Sequence, residues 1–374
     1  MRRLTATTLS VLAALPVVIY TALHGYAGTR LDVLLLCDAV VRRQSVPSLR
    51  SYADVQPRHT VSASTGGTWH LAWGKGLSVS FEGSGGESVE LLRTAPGAAF
   101  VAAAASERVA AEARGCFWVR DRVLAACVAQ RVDSVTAPPG GGLLLSGGFD
   151  DCPAAQWRLH LGHDKLGHAT PPRGEAEAGG AEAAASTGTE AARELRFALD
   201  VEGVSPAGAP LNRAQLAYGA RRGAAYWGMG AQFTHFNLRG HCVPAFVSEQ
   251  GIGRGARETQ PVSLLLNAIG HGAGGNAYTT YASSASFVSS TGGEHGTYAL
   301  ALENSEPALI ELGSGARGCS RTIFSGGGYG AAGRDESRDL VVISLHAAAM
   351  RGRLFAPAPR RAGAEAAAEA GAEA

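Results

Sequence analysis

Neither sign of charge is in excess in this chain of 374 residues. Its 33 Lys and Arg stand against 32 Asp and Glu, a formal net charge of +1, and the basic residues do not gather in one segment. A nucleic-acid surface needs a basic stripe to replace the counterions of the phosphate backbone, so that class of partner is set aside. Cysteine is sparse and scattered. Cys37, Cys116, Cys127, Cys152, Cys242 and Cys319 include no C-x-x-C pair, which leaves zinc-ribbon and thioredoxin readings without support. Six cysteines in this length are also too few for a disulfide scaffold. One or two disulfides and a set of small buried thiols are both compatible with the spacing.

Aromatics make up 7% of the chain and charged residues 17%. The apolar share of 46% draws heavily on alanine, and 50 residues are glycine. Alanine buries little area, so the packed part is smaller than the length suggests. No N-x-(S/T) sequon occurs. After the N-terminus no apolar run is long enough to cross a bilayer.

That N-terminus has the layout of a targeting segment. Arg2 and Arg3 flank an apolar run from Leu9 to Leu23, and Gly25, Ala27 and Gly28 offer a small-residue cleavage site. Residues 1–28 therefore read as a signal peptide or signal anchor for the secretory pathway. The early Thr5, Thr7, Thr8 and Ser10 also suit a plastid transit peptide. Residues 29–66 read as a lead-in linker, 67–355 as a β-rich domain, and 356–374 as an Ala/Glu-rich tail. Within the domain, the Ala/Glu/Gly run at 170–194 has no apolar face to pack and is expected to be a disordered insertion.

Alternation of period two marks the strands. Leu77, Val79 and Phe81 alternate with serines, and Leu195, Phe197, Leu199 and Val201 repeat the pattern. Phe117–Val119, Leu143–Leu145, Val262–Leu266, Phe287–Ser290, Tyr298–Leu302 and Leu340–Leu345 are further candidates. Pro138 to Gly142, Gly203 to Pro210 and Gly272 to Gly275 supply turns. Many short strands with few helical patterns predict a mainly β fold, an antiparallel β-sandwich. The alanine-rich stretch Ala102–Ala113 is the one place where a helix is expected.

The most particular stretch runs from Tyr226-Trp227-Gly228-Met229-Gly230-Ala231-Gln232-Phe233-Thr234-His235-Phe236-Asn237-Leu238-Arg239-Gly240 through Glu249-Gln250-Gly251-Ile252-Gly253-Arg254-Gly255. Gly274-Gly275-Asn276-Ala277-Tyr278-Thr279-Thr280-Tyr281 and Leu302-Glu303-Asn304 follow it, and Leu91–Gly97 and Glu112–Phe117 precede it. Together they resemble the N-terminal domain of family 31 glycoside hydrolases, in the branch of sulfoquinovosidases and related α-glucosidases, over about residues 67–355.

The resemblance implies a sandwich of the galactose-mutarotase-like, carbohydrate-binding type that packs on a (β/α)8 barrel. It also implies that Gln232, Phe233, His235, Arg239, Glu249, Gln250 and Arg254 border a pocket for an α-linked glycoside. Two departures weaken that pocket: Ala231 replaces the usual glutamate, and Asn276-Ala277-Tyr278 replaces an Asp-Trp-His type run. For Glu249 with Arg254 or Arg239, an ion pair that pins the loop is a competing role.

Retaining glycoside hydrolysis needs two carboxyls about 5 Å apart. In the family both are barrel aspartates, the nucleophile lying in W-x-D-x-(N/G)-E. Here the residues two places after the five tryptophans are Leu71, Lys75, Arg120, Leu159 and Met229. The 374 residues thus carry neither catalytic aspartate of the family, and on its own the chain is expected to be inactive. No cofactor is implied. Asp150-Asp151 with Glu303 read better as solvated turn carboxylates than as a catalytic pair. His160, His163, Asp164 and His168 match no standard metal spacing. The partners expected are a carbohydrate and a separately encoded barrel; the alternative is a stand-alone carbohydrate- or partner-binding module.

Overall fold

The computed structural model describes residues 58–63, 67–74, 76–83, 86, 88–113, 116–138, 141–163, 193–231, 235–245, 247, 280–291, 296–313 and 340–357. Among them every regular element is a strand. In chain order these are β1 (Arg58–Ala63), β2 (Gly67–Trp73), β3 (Leu77–Gly83), β4 (Ser88–Arg93), β5 (Val101–Ala113), β6 (Cys116–Cys127), β7 (Gln130–Thr136), β8 (Leu143–Phe149) and β9 (Cys152–Gly162). There follow β10 (Glu194–Gly203), β11 (Arg213–Gly219), β12 (Ala225–Gly230), β13 (His241–Ala245), β14 (Ser283–Ser290), β15 (Thr297–Leu302), β16 (Ala308–Leu312), β17 (Leu340–Leu345) and β18 (Ala349–Phe355).

They form three antiparallel sheets, a β-sandwich with an added meander. The meander is β1-β2-β3-β4, the larger sheet β12-β14-β15-β18-β10-β9-β8-β7, and the third β13-β16-β17-β11-β5-β6. β1 falls in the stretch read as a lead-in.

Alternation sends one face of each large sheet inward. Across the eight-stranded sheet the register lines up Leu145, Leu159, Leu199 and Met350, and beside them Leu143, Leu161, Phe197 and Gly352. Gly352 has no side chain where the Phe197 ring lies; a Cβ there would stand 2.4 Å from its Cζ. The facing row of the six-stranded sheet is Val101, Leu216, Ile343, Ile310 and Val243. All these side chains are buried in one core that also takes Trp69, Leu71, Trp73 and Phe81 from the meander. Phe100 joins the parts, its ring 5.9 Å from Trp73 and 5.7 Å from Trp157. Each such side chain contributes about 1.5–3 kcal/mol through burial.

The expected helix at Ala102–Ala113 is instead strand β5. Its residues 101–104 pair with β11, and 103–113 pair with β6. Alanine's helix propensity is worth only tenths of a kcal/mol per residue and yields to ladder pairing on both sides. Small side chains are needed here because the sheet is covered on both faces. Ala102, Ala104, Ala217 and Val342 form a second buried cluster on its far side. Gln215 and Arg213 lie there too, both donating to Ser344 Oγ, at 2.9 and 2.8 Å.

The other expected strands coincide with β3, β6, β8, β10, β14, β15 and β17. Val262–Leu266 and the targeting segment lie outside the described residues, as does the 170–194 insertion except for its end, where Glu194 opens β10. No helix among the described residues is long and apolar enough to cross a membrane.

The cysteines whose side chains are described, Cys127, Cys152 and Cys242, are all in disulfides. Cys127 at the end of β6 is bonded to Cys152 at the start of β9, across the two large sheets. Cys242 on β13 is also disulfide-bonded.

Candidate functional site

The run from Tyr226 to Gly240 begins as β12, an edge strand of the eight-stranded sheet. Tyr226 points into the core and Trp227 outward, as alternation requires. The strand then leaves its register. Gly228, Met229 and Gly230 take φ values of 121°, 62° and 83°, and pairing with β14 slips between Gly228 and Gly230. A Cβ on Gly230 would stand 2.0 Å from Ala282 O, so only glycine fits. Beyond it, Ala231 N donates to Ala282 O at 2.8 Å.

Two side chains fix how the chain returns. Asn237 Oδ1 accepts from Tyr226 N at 3.1 Å and from Arg239 N at 3.0 Å, an Asx-type turn closed against the strand. Arg239 Nη1 donates to Arg221 O at 3.1 Å and Ala224 O at 3.0 Å, holding the turn between β11 and β12. Leu238, buried beside them, donates its N–H to Tyr226 O at 2.8 Å.

Of the residues expected at a pocket rim, His235 and Arg239 are described; Gln232, Phe233, Glu249, Gln250 and Arg254 lie outside the described residues. Arg239 spends hydrogen bonds on backbone carbonyls of the β11–β12 turn. His235 is half-buried and stacks on His241 of β13, ring centroids 4.1 Å apart and planes 25° from parallel. Burial, and then the neighbouring His235, holds the His241 imidazole below its ordinary value of 6.5. Sequence reasoning missed His241 and Asn237. The N-x-R-G spacing of Asn237 was a readable signal, whereas His241 meets His235 only because the loop folds back.

On the outer side of β12, Trp227 carries the Phe236 ring edge-on at 6.3 Å, and Phe236 is 87% exposed. Val288, the register partner of Trp227 on β14, is exposed beside them.

The carboxylates considered for catalysis serve the fold. Asp151 accepts N–H bonds from Val128 at 2.8 Å and Ala129 at 3.1 Å. Asp150 pairs with Arg131, whose guanidinium is held charged by Asp133 first and Asp150 second. Glu303 pairs with Arg353 at 2.7 Å. Among the described residues no group of three or more His, Cys, Asp and Glu is placed to hold a metal ion.

No protein-family profile and no curated protein matches the chain. Solved structures do. The chain is similar to a GH31 family sulfoquinovosidase from E. rectale bound to an aza-sugar inhibitor, at 16% identity and TM-score 0.45, covering 72% of this chain and 30% of that one. It is similar to a cycloalternan-forming enzyme from Listeria monocytogenes in complex with a pentasaccharide substrate, at 11% identity and TM-score 0.27, covering 80% and 26%. A GH31 dextranase from Flavobacterium johnsoniae matches at 12% identity and TM-score 0.24, covering 84% and 26%. The chain spans less than a third of the length of each.

Proposed function

We propose that this chain is a β-sandwich of family 31 glycosidase lineage that borders a sugar pocket without performing the hydrolysis. What carries the reading is the match between resemblance and architecture. The described residues of the motif-bearing run, 226–231 and 235–240, form the strained end of β12 and the turn held by Asn237 and Arg239. These residues shape a loop; they do not supply a carboxyl pair. Chemistry would come from the aspartates of a (β/α)8 barrel, acting on an α-linked glycoside. The inter-sheet disulfide supports passage through an oxidising compartment, in line with the N-terminal segment as a secretory signal.

The test is turnover of nitrophenyl α-glucoside and α-sulfoquinovoside by the purified full chain. The expected outcome is a rate equal to the buffer blank, and hydrolysis above it that survives repurification defeats the proposal.

A second reading, a stand-alone carbohydrate-binding module, draws on one observation: the Phe236 ring stands 87% exposed against Trp227. An exposed phenylalanine ring set against a half-buried tryptophan offers a surface on which a sugar ring can stack. Retardation in gels containing soluble α-glucan, abolished by Phe236→Ala, would favour this reading over the first.

A further inference from the structure

Where the chain passes from the six-stranded to the eight-stranded sheet, two short segments are tied together several times over. Cys127-Val128-Ala129-Gln130 leaves β6 and opens β7, and Phe149-Asp150-Asp151-Cys152 turns β8 into β9. The disulfide joins Cys127 to Cys152 at one end, and the ladder pairs Gln130 with Phe149 at the other. Between them the Asp151 carboxylate accepts from Val128 N at 2.8 Å and Ala129 N at 3.1 Å, and Asp150 N donates to Ala129 O at 2.8 Å. The chain neighbours of each cysteine are thus held by the chain neighbours of the other.

This clasp is also fastened to the core. Gln130 Oε1 accepts from Phe100 N at 2.7 Å and Val101 N at 3.0 Å, so the exit from the six-stranded sheet is bonded to the entry of β5. Cys127, Cys152, Gln130, Phe149 and Phe100 are at most 1% exposed. Val128 is buried on the far side of the six-stranded sheet. Thiol–disulfide exchange begins when a thiolate reaches one of the two sulfurs, so its rate depends on access. Here access requires the Asp151 bonds to break and the packing around Phe149 and Phe100 to part.

We propose that the Cys127–Cys152 bond is a redox lock, made and broken only while this crossover is open. It records the medium in which the chain folded, not the one that the folded chain later meets. Closing the lock passes two electrons to an oxidant of the disulfide class, such as a protein or glutathione disulfide. The thiolate of one cysteine attacks that disulfide, which leaves a mixed disulfide and expels one thiolate. The thiolate of the second cysteine displaces the other half. The chain then holds one new S–S bond, and the oxidant has become two thiols that carry the two cysteine protons. A dithiol reductant runs the same exchanges in reverse, and the first of them needs the access that the closed clasp denies. The lock is independent of any sugar chemistry.

Timed reduction of the full chain tests it. The oxidised protein is incubated with dithiothreitol, free thiols are trapped with N-ethylmaleimide, and mass spectrometry follows the peptides that carry Cys127 and Cys152. Their release in native buffer should be more than about a thousandfold slower than in urea that unfolds the chain, because a stable domain opens its core that rarely. A smaller difference overturns the proposal. Asp151→Ala removes two charge-assisted bonds of the clasp and should speed release in native buffer by about tenfold or more. An unchanged rate would also overturn it; should that variant not fold, the wild-type comparison decides alone.

Discussion

Met229 takes a φ of 62°, the only non-glycine among the described residues in the left-handed region, with its side chain fully buried. Such a residue costs about 1–2 kcal/mol and persists where its surroundings over-determine it. It marks the place where β12 stops being a strand and becomes the candidate loop. His241 marks the other end of that loop, and its titration is readable. Its imidazole is held below 6.5 in the folded chain, so between that lowered value and 6.5 the unfolded state binds more protons. Its contribution is therefore fully present above 6.5 and is lost as the pH falls. Urea unfolding at pH 7.5 and 5.5 should show the wild type losing more stability on acidification than His241→Asn; equal losses would refute the assignment. The position of His241 could be read from the sequence, but not its stacking on His235.

At the scale of elements, Gly230 decides the geometry of the loop. Alanine there combines a φ of 83° with a Cβ 2.0 Å from Ala282 O. Gly97 also has a positive φ, 69°, but nothing within 4 Å of an added Cβ. Gly97→Ala should thus cost only the backbone penalty of about 1–2 kcal/mol, and Gly230→Ala clearly more, because the backbone of β14 must also shift. Comparing the two thermal midpoints checks this, and similar losses would count against a clash at Gly230. Strands with one wet face, such as β3, announced themselves by alternation. The start of β5 did not, because residues 101–105 are buried on both faces and alanine fills them, which erases the period.

For the whole molecule, the covalent link between Cys127 and Cys152 joins the two large sheets across a sequence separation of 25 residues. On the chain-entropy account, closing such a loop in the unfolded state contributes about 3.5 kcal/mol. Cys127→Ala/Cys152→Ala should lower the urea midpoint accordingly, and an unshifted midpoint would show that the sheets are held by packing alone. That packing is extensive, since one core draws side chains from all three sheets. Large apolar side chains left in the open are few among the described residues: Leu124, Val204, Phe236, Val247, Tyr281 and Val288. Val288 is the register partner of Trp227, against which Phe236 lies, so part of this exposed apolar surface meets the loop that the sequence motif singled out.

The sequence by itself determined the class of fold and the stretch to examine. Period-two alternation reports which residues face inward, and the Tyr226–Gly255 pattern is local and long. Only the tertiary structure decided what those residues do. Arg239 turned to the carbonyls of Arg221 and Ala224, Asp151 to the N–H groups of Val128 and Ala129, and Cys127 to Cys152. Each partner is set by which strands the sheets place side by side. Pairing of that kind joins residues distant in the chain, and no spacing along the sequence records it.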